Sequence, residues 1–143
     1  MKRKHFLSSL LAGPLIPAVS FRPVFGNPHF RVGEEGLFTV PPYLKQGDHI
    51  GITCPAGHIS EDELGPALAT LQDWGFEMRL GSTVGKRDFT FGGTDEERRA
   101  DFQQMLDDPS LQAILCARGG YGCIRIIDQL DFRKFVDRPK WII

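Results

Sequence analysis

At 143 residues and a net charge of -1, the chain has room for one ordinary domain, and its charge gives no reason to expect nucleic acid or an anionic membrane surface as partner. Its three cysteines, Cys54, Cys116 and Cys123, are too few and too scattered for a disulfide framework or a zinc site and read as buried free thiols. No internal repeat or low-complexity block interrupts the chain.

Residues 1–20 read as an export signal. Lys2-Arg3-Lys4 supplies the positive start, Phe6 to Val19 a short apolar stretch broken by Gly13, Pro14 and Pro17, and Ala18-Val19-Ser20 the small residues of a cleavage site. An uncleaved anchor is the alternative, although the apolar stretch is short for a membrane span. Arg3-Lys4-His5-Phe6-Leu7 also resembles a twin-arginine signal with lysine in the second basic position, so both export routes stay open and the expected destination is periplasm or cell envelope. Residues 21–40, rich in Pro, Gly and Phe without helical or strand period, read as a linker. The folded domain is expected over 41–143.

That domain opens with a turn at Gln46-Gly47-Asp48 and a short apolar strand, His49 to Thr53, which runs into the loop Cys54-Pro55-Ala56-Gly57. Ser60 and Glu63 form a capping box, and Leu64, Leu68, Leu71 and Trp74 share one helical face behind it. Pro66 is expected within the first turn, and Gly75 ends the helix. Phe76 to Leu80 alternates as a second strand, which implies a right-handed crossover and a parallel pair. A polar loop from Gly81 to Gly93 follows. Thr94 and Glu97 then form a second capping box, with Ala100, Phe102, Met105 and Leu106 as the apolar stripe and Asp108-Pro109 as the stop.

Ala113 to Ala117 reads as a buried central strand, broken at once by Arg118-Gly119-Gly120-Tyr121-Gly122. Glycines there bring bare backbone N–H groups to the strand end, where open α/β sheets bind ligands. The residues from Cys123 to Leu130 return to helical spacing, so strand, turn and helix start together suit an anion or oxyanion; a tight turn that needs glycine only for packing is the alternative. A short helical segment at Asp131 to Val136 and an apolar strand from Trp141 to Ile143 close the chain. Strands alternating with helices argue a doubly wound, mostly parallel α/β sheet, and a strand at the very end looks cut short.

Four stretches in order carry a resemblance: Gly47-Asp48-His49-Ile50-Gly51-Ile52 with Cys54-Pro55-Ala56-Gly57, Phe91-Gly92-Gly93-Thr94-Asp95-Glu96-Glu97-Arg98, Arg118-Gly119-Gly120-Tyr121-Gly122, and Pro139-Lys140-Trp141-Ile142-Ile143. From Pro41 to Ile143 the chain resembles the N-terminal portion of the LD-carboxypeptidases, the muramoyltetrapeptide carboxypeptidases related to the microcin C immunity protein. The resemblance implies a flavodoxin- or Rossmann-like N-terminal domain, incomplete at its C-terminus. It further implies a serine hydrolase that removes the terminal D-alanine of murein tetrapeptides with a Ser-Glu-His triad and no metal or organic cofactor. The nucleophile would follow directly after Ile143, and the glutamate and histidine would lie in a missing C-terminal catalytic domain, so no catalytic residue is expected in this chain. The partners so implied are a murein peptide and that C-terminal domain, with a homodimer as a further possibility.

What the resemblance leaves to this chain is the oxyanion side of the site. It places a donor in the Gly119-Gly120 turn, with Gly120 preferred. Arg118 is read as a contact to a substrate carboxylate or as a surface salt bridge. Tyr121 is read as a substrate contact or as a ring packed under the turn. Cys123 near a helix start could pass for a nucleophile, but no histidine accompanies it in sequence. Gly120-Tyr121-Gly122-Cys123-Ile124-Arg125 has arginine where a dinucleotide fingerprint needs its third glycine. Two other readings stay beside the enzyme: a non-catalytic murein-peptide binding module, and an inactive truncated product.

Overall fold

A computed structural model describes residues 39–143. The expected export signal and nearly all of the expected linker lie outside the described residues. The elements run β1 (His49–Thr53), α1 (Glu61–Asp73), β2 (Glu77–Leu80), α2 (Asp95–Asp107), β3 (Ala113–Cys116), two 3-10 helices (Tyr121–Arg125 and Ile127–Gln129), α3 (Arg133–Asp137) and β4 (Trp141–Ile142). The four strands form one parallel sheet in the order β2-β1-β3-β4. The chain lays β2 on one side of β1, then crosses back to place β3 and β4 on the other. This is the doubly wound arrangement that the alternation of elements predicts, and its switch point lies between β1 and β3.

Alternation along β1 divides the core into two layers. Ile50 and Ile52 join Leu64, Leu68 and Leu71 of α1 on one face, while Ile114 of β3 meets Phe102, Met105 and Leu106 of α2 on the other. Gly51 faces α2, and a Cβ there would stand 2.6 Å from the Met105 sulfur and 2.7 Å from a Leu111 methyl. Glycine is what lets α2 lie this close to the sheet. Gly51→Ala is therefore expected to lower stability by about 1–3 kcal/mol, the usual cost of overpacking. Urea unfolding checks it, and an unchanged midpoint would mean that Met105 and Leu111 step aside freely.

Both predicted capping boxes are complete: Ser60 with Glu63 starts α1, and Thr94 with Glu97 starts α2. Gly75, at φ +86°, ends α1 in the left-handed region that favours glycine. The buried Lys140 ammonium donates to the Met105 and Asp108 carbonyls, which closes the C-terminus of α2 and ties the entry of β4 to it.

Four details depart from the sequence reading. Trp74 follows α1 as its cap and is largely exposed, because by then the helix has run past the sheet. Pro66 stands sixth in α1 rather than in its first turn, and it sits on the solvent side, where a lost N–H costs least. Ala100 is exposed, and Arg98 and Asp101 occupy the buried face of α2 instead. The segment after the glycine turn is two 3-10 helices, not an α-helix. Its bonds run three residues back, as in Cys123 N–H to Gly120 O and Ile126 N–H to Cys123 O. The Gly122 carbonyl, which an α-helix would offer to Ile126, is taken by the Arg98 guanidinium.

Candidate functional site

Three loops meet at the C-terminal ends of the strands. The loop after β1 carries Cys54 to Gly57, the loop before α2 carries Phe91 to Gly93, and the loop after β3 carries Arg118 to Gly122. Their roots are locked by Ala117 N–H to Thr53 O at 2.9 Å and by the Cys54 thiol donating to Ala117 O at 3.0 Å. Gly92 N–H donates to Ala56 O at 2.9 Å, and Gly57 bridges to Phe91. Contact is made backbone to backbone. A Cβ on Gly92 would sit 2.5 Å from Cys54 Cβ, and one on Gly122 would sit 2.8 Å from Ala56 Cα.

The glycine turn stands above this junction. Gly119, Gly120 and Tyr121 are exposed; Gly119 closes the turn at Ala117-Arg118, and the Gly120 N–H donates to no other described residue. Gly120 has φ 123° and ψ -152°, a conformation open to glycine almost alone. The Gly120 amide thus stands free at the switch point of the sheet, the place where such folds bind ligands. Tyr121 is 80% exposed, so its ring does not pack under the turn. Arg118 lays its stem across Gly57 and donates to the Glu63 carboxylate at 3.1 Å, both side chains being about half exposed. The Ser60 N–H and hydroxyl, with Arg118 beside them, hold the Glu63 carboxyl below the ordinary carboxylate range. Phe89, in the loop before α2, is almost fully exposed at a positive φ of 56°.

Beneath the turn lies a residue that the motif contains but that sequence reasoning assigned no role. Arg98 is completely buried. Its guanidinium donates to Pro55 O at 2.5 Å, to Gly122 O at 3.0 Å and to Gly93 O at 3.2 Å, one carbonyl from each of the three loops. It also pairs with Asp95 and lies over the Phe91 ring, 4.7 Å from the centroid. Arg125, 5.3 Å from the same centroid, reaches the same Asp95 carboxylate and holds it below its ordinary range. The signal was available: Arg98, Asp101, Phe102 and Met105 are spaced as one helical face, so two charged residues had to point inward.

Cys54 and Cys116 are poor nucleophiles in this setting. Burial pushes the Cys54 thiol up and raises Cys116 to about 11 from an ordinary 9. The sign follows directly. The unfolded chain releases the Cys116 proton first, so its contribution to stability is complete below pH 9 and declines as pH rises toward 11. Urea midpoints at pH 8 and pH 10.5 are expected to differ less in Cys116→Ala than in the parent. An equal drop in both would place the effect elsewhere. Cys123 is partly buried and, like the other two, unbridged. Among the described residues no group of three or more His, Cys, Asp or Glu is arranged to hold a metal ion.

A cleft of about 160 Å³ opens beside the first loop, lined by His58, Ser60, Lys86 and Arg87 among others. A larger one of about 370 Å³ lies between the end of α2 and α3, at the opposite end of the strands. Size favours the second, but the free amide belongs to the first end, and chemistry decides for it.

Fold and site together define a doubly wound α/β domain with an exposed glycine turn at its switch point. The profile of the LD-carboxypeptidase N-terminal domain matches residues 50–143, and the chain belongs to that family. It is 34% identical over 109 residues to a probable murein peptide carboxypeptidase of Bacillus subtilis, covering 74% of this chain and 34% of that protein. It is 35% identical over 85 residues to the murein tetrapeptide carboxypeptidase of Pseudomonas aeruginosa, covering 59% of this chain and 28% of that one. Among solved structures, the microcin C7 self-immunity protein MccF in complex with aspartyl sulfamoyl adenosine superposes with a TM-score of 0.67 at 28% identity, over 74% of this chain and 32% of the other. The chain therefore spans about a third of the length of the relatives that it matches.

Proposed function

We propose that this domain supplies the oxyanion and substrate-binding side of a serine-type LD-carboxypeptidase acting on murein tetrapeptides. The observation that carries the reading is the unengaged Gly120 amide, exposed at the switch point with Gly120 in its glycine-specific conformation. Hydrolysis of a terminal peptide bond develops negative charge on the carbonyl oxygen, and one backbone N–H aimed there typically lowers the barrier by about 3 kcal/mol. Gly120 N–H is the proposed donor. Arg118, already holding one carboxylate, is the proposed partner of the peptide's terminal carboxylate, with Tyr121 alongside. The nucleophile and its base are assigned to the part of the relatives that this chain does not cover.

Titration of the 143-residue chain with a murein tetrapeptide ending in D-alanine tests the reading. Amide signals of Gly119, Gly120 and Tyr121 are expected to move, and Arg118→Ala is expected to weaken binding. No perturbation at millimolar peptide would remove the proposal.

A further inference from the structure

The three loops come from separate parts of the chain and meet through pairwise backbone contacts, and Arg98 adds a side chain that reaches all three. Arg98 does so with donors in a rigid planar fork. Its Nη1 bridges Pro55 O and Gly122 O, its Nε reaches Gly93 O, and its Nη2 is held by Asp95. The guanidinium lies over the ring of Phe91, and Arg125 reaches the same ring and the same Asp95 carboxylate. Gly122 is two residues from Gly120. The Gly122 carbonyl goes to Arg98, and the 3-10 helix around it begins with Cys123 N–H to Gly120 O, which fixes the Gly120–Tyr121 peptide next to the one that carries the Gly120 N–H. The chain of contacts therefore runs from a buried guanidinium to the exposed amide.

We infer that Arg98 is a positioning residue for the glycine turn, setting where the Gly120 amide points without touching substrate itself. The inference rests on the proposed function for its purpose but not for its geometry. Lysine at this position would keep the charge and reach fewer of the carbonyls, and could not lie flat on Phe91.

The experiment compares the 143-residue parent with Arg98→Lys and with Asp95→Asn, the latter releasing one anchor of the guanidinium from a partly exposed position. Amide spectra are recorded first without ligand. In both variants the signals of Gly119 to Gly122 are expected to shift or broaden while those of β2 and α1 stay in place. Tetrapeptide affinity in Arg98→Lys is then expected to fall about tenfold, or about 1.4 kcal/mol. A folded Arg98→Lys with unmoved turn amides would overturn the inference. If Arg98→Lys does not fold, Asp95→Asn decides by the same signals. If the parent binds no peptide, the proposed function falls, while the ligand-free spectra still decide the role of Arg98.

Discussion

Asp101→Ala is expected to unfold at markedly lower urea, with a loss of about 3 kcal/mol or more. Asp101 is buried on α2, and its carboxylate accepts from the Thr53 and Thr83 hydroxyls at 2.6 Å each and from the Ser82 N–H at 2.7 Å. The Thr83 N–H adds a longer bond at 3.3 Å. These donors belong to β1 and to the loop after β2, so one carboxylate fastens both to the helix. Alanine would leave the buried Thr53 and Thr83 hydroxyls without that acceptor, and the desolvation cost exceeds the modest worth of any single hydrogen bond in water. The space is equally committed, since a Cβ on Gly81 would come within 2.4 Å of a carboxylate oxygen. Asp101→Asn keeps one acceptor oxygen but points an NH2 at donors, and is expected to lose roughly half as much. Equal midpoints for parent and Asp101→Ala would show that water enters and replaces the carboxylate.

Gly122→Ala is expected to be the most damaging of the substitutions to alanine within the glycine turn, at about 2–3 kcal/mol. The new Cβ would lie 2.8 Å from the Ala56 backbone and 2.9 Å from the Phe91 ring. Neither gives way cheaply. The 2.8 Å neighbour is the Ala56 Cα, in a loop bonded to Gly92, and the Phe91 ring is in contact with the guanidinium groups of Arg98 and Arg125. Gly119→Ala is the internal control: its Cβ meets only Cys116 at an ordinary 3.6 Å, so its midpoint is expected to stay within about 0.5 kcal/mol of the parent. Gly120→Ala falls between, because its surroundings are open and its φ of 123° alone opposes a side chain. Denaturant unfolding of the three variants checks the order, and a Gly119→Ala loss equal to that of Gly122→Ala would contradict it.

The local features were legible in the sequence because they depend on neighbours along the chain. The capping boxes at Ser60 and Thr94, the stop at Gly75 and the strand at Ala113 each follow from residues within a few positions. Alternating strands and helices also determined the doubly wound class, since parallel strands need crossovers. The same rule placed the glycine turn at the C-terminal end of a central strand, where the structure has it.

What the tertiary structure alone decided is which partner each polar group finds. Arg98 and Asp101 look like ordinary helix charges until the sheet and three loops close over them, because burial is a property of contacts far apart in sequence. The 3-10 winding after Gly122 has the same origin. Its sequence carries helical spacing, but the carbonyl that would continue an α-helix is claimed by an arginine 24 residues earlier. Trp74 lies beyond the last residue of α1, and Ala100 lies on the side of α2 opposite the buried face of Arg98, Asp101, Phe102 and Met105. Period fixes which residues share a face, and packing fixes how far along that face the core reaches.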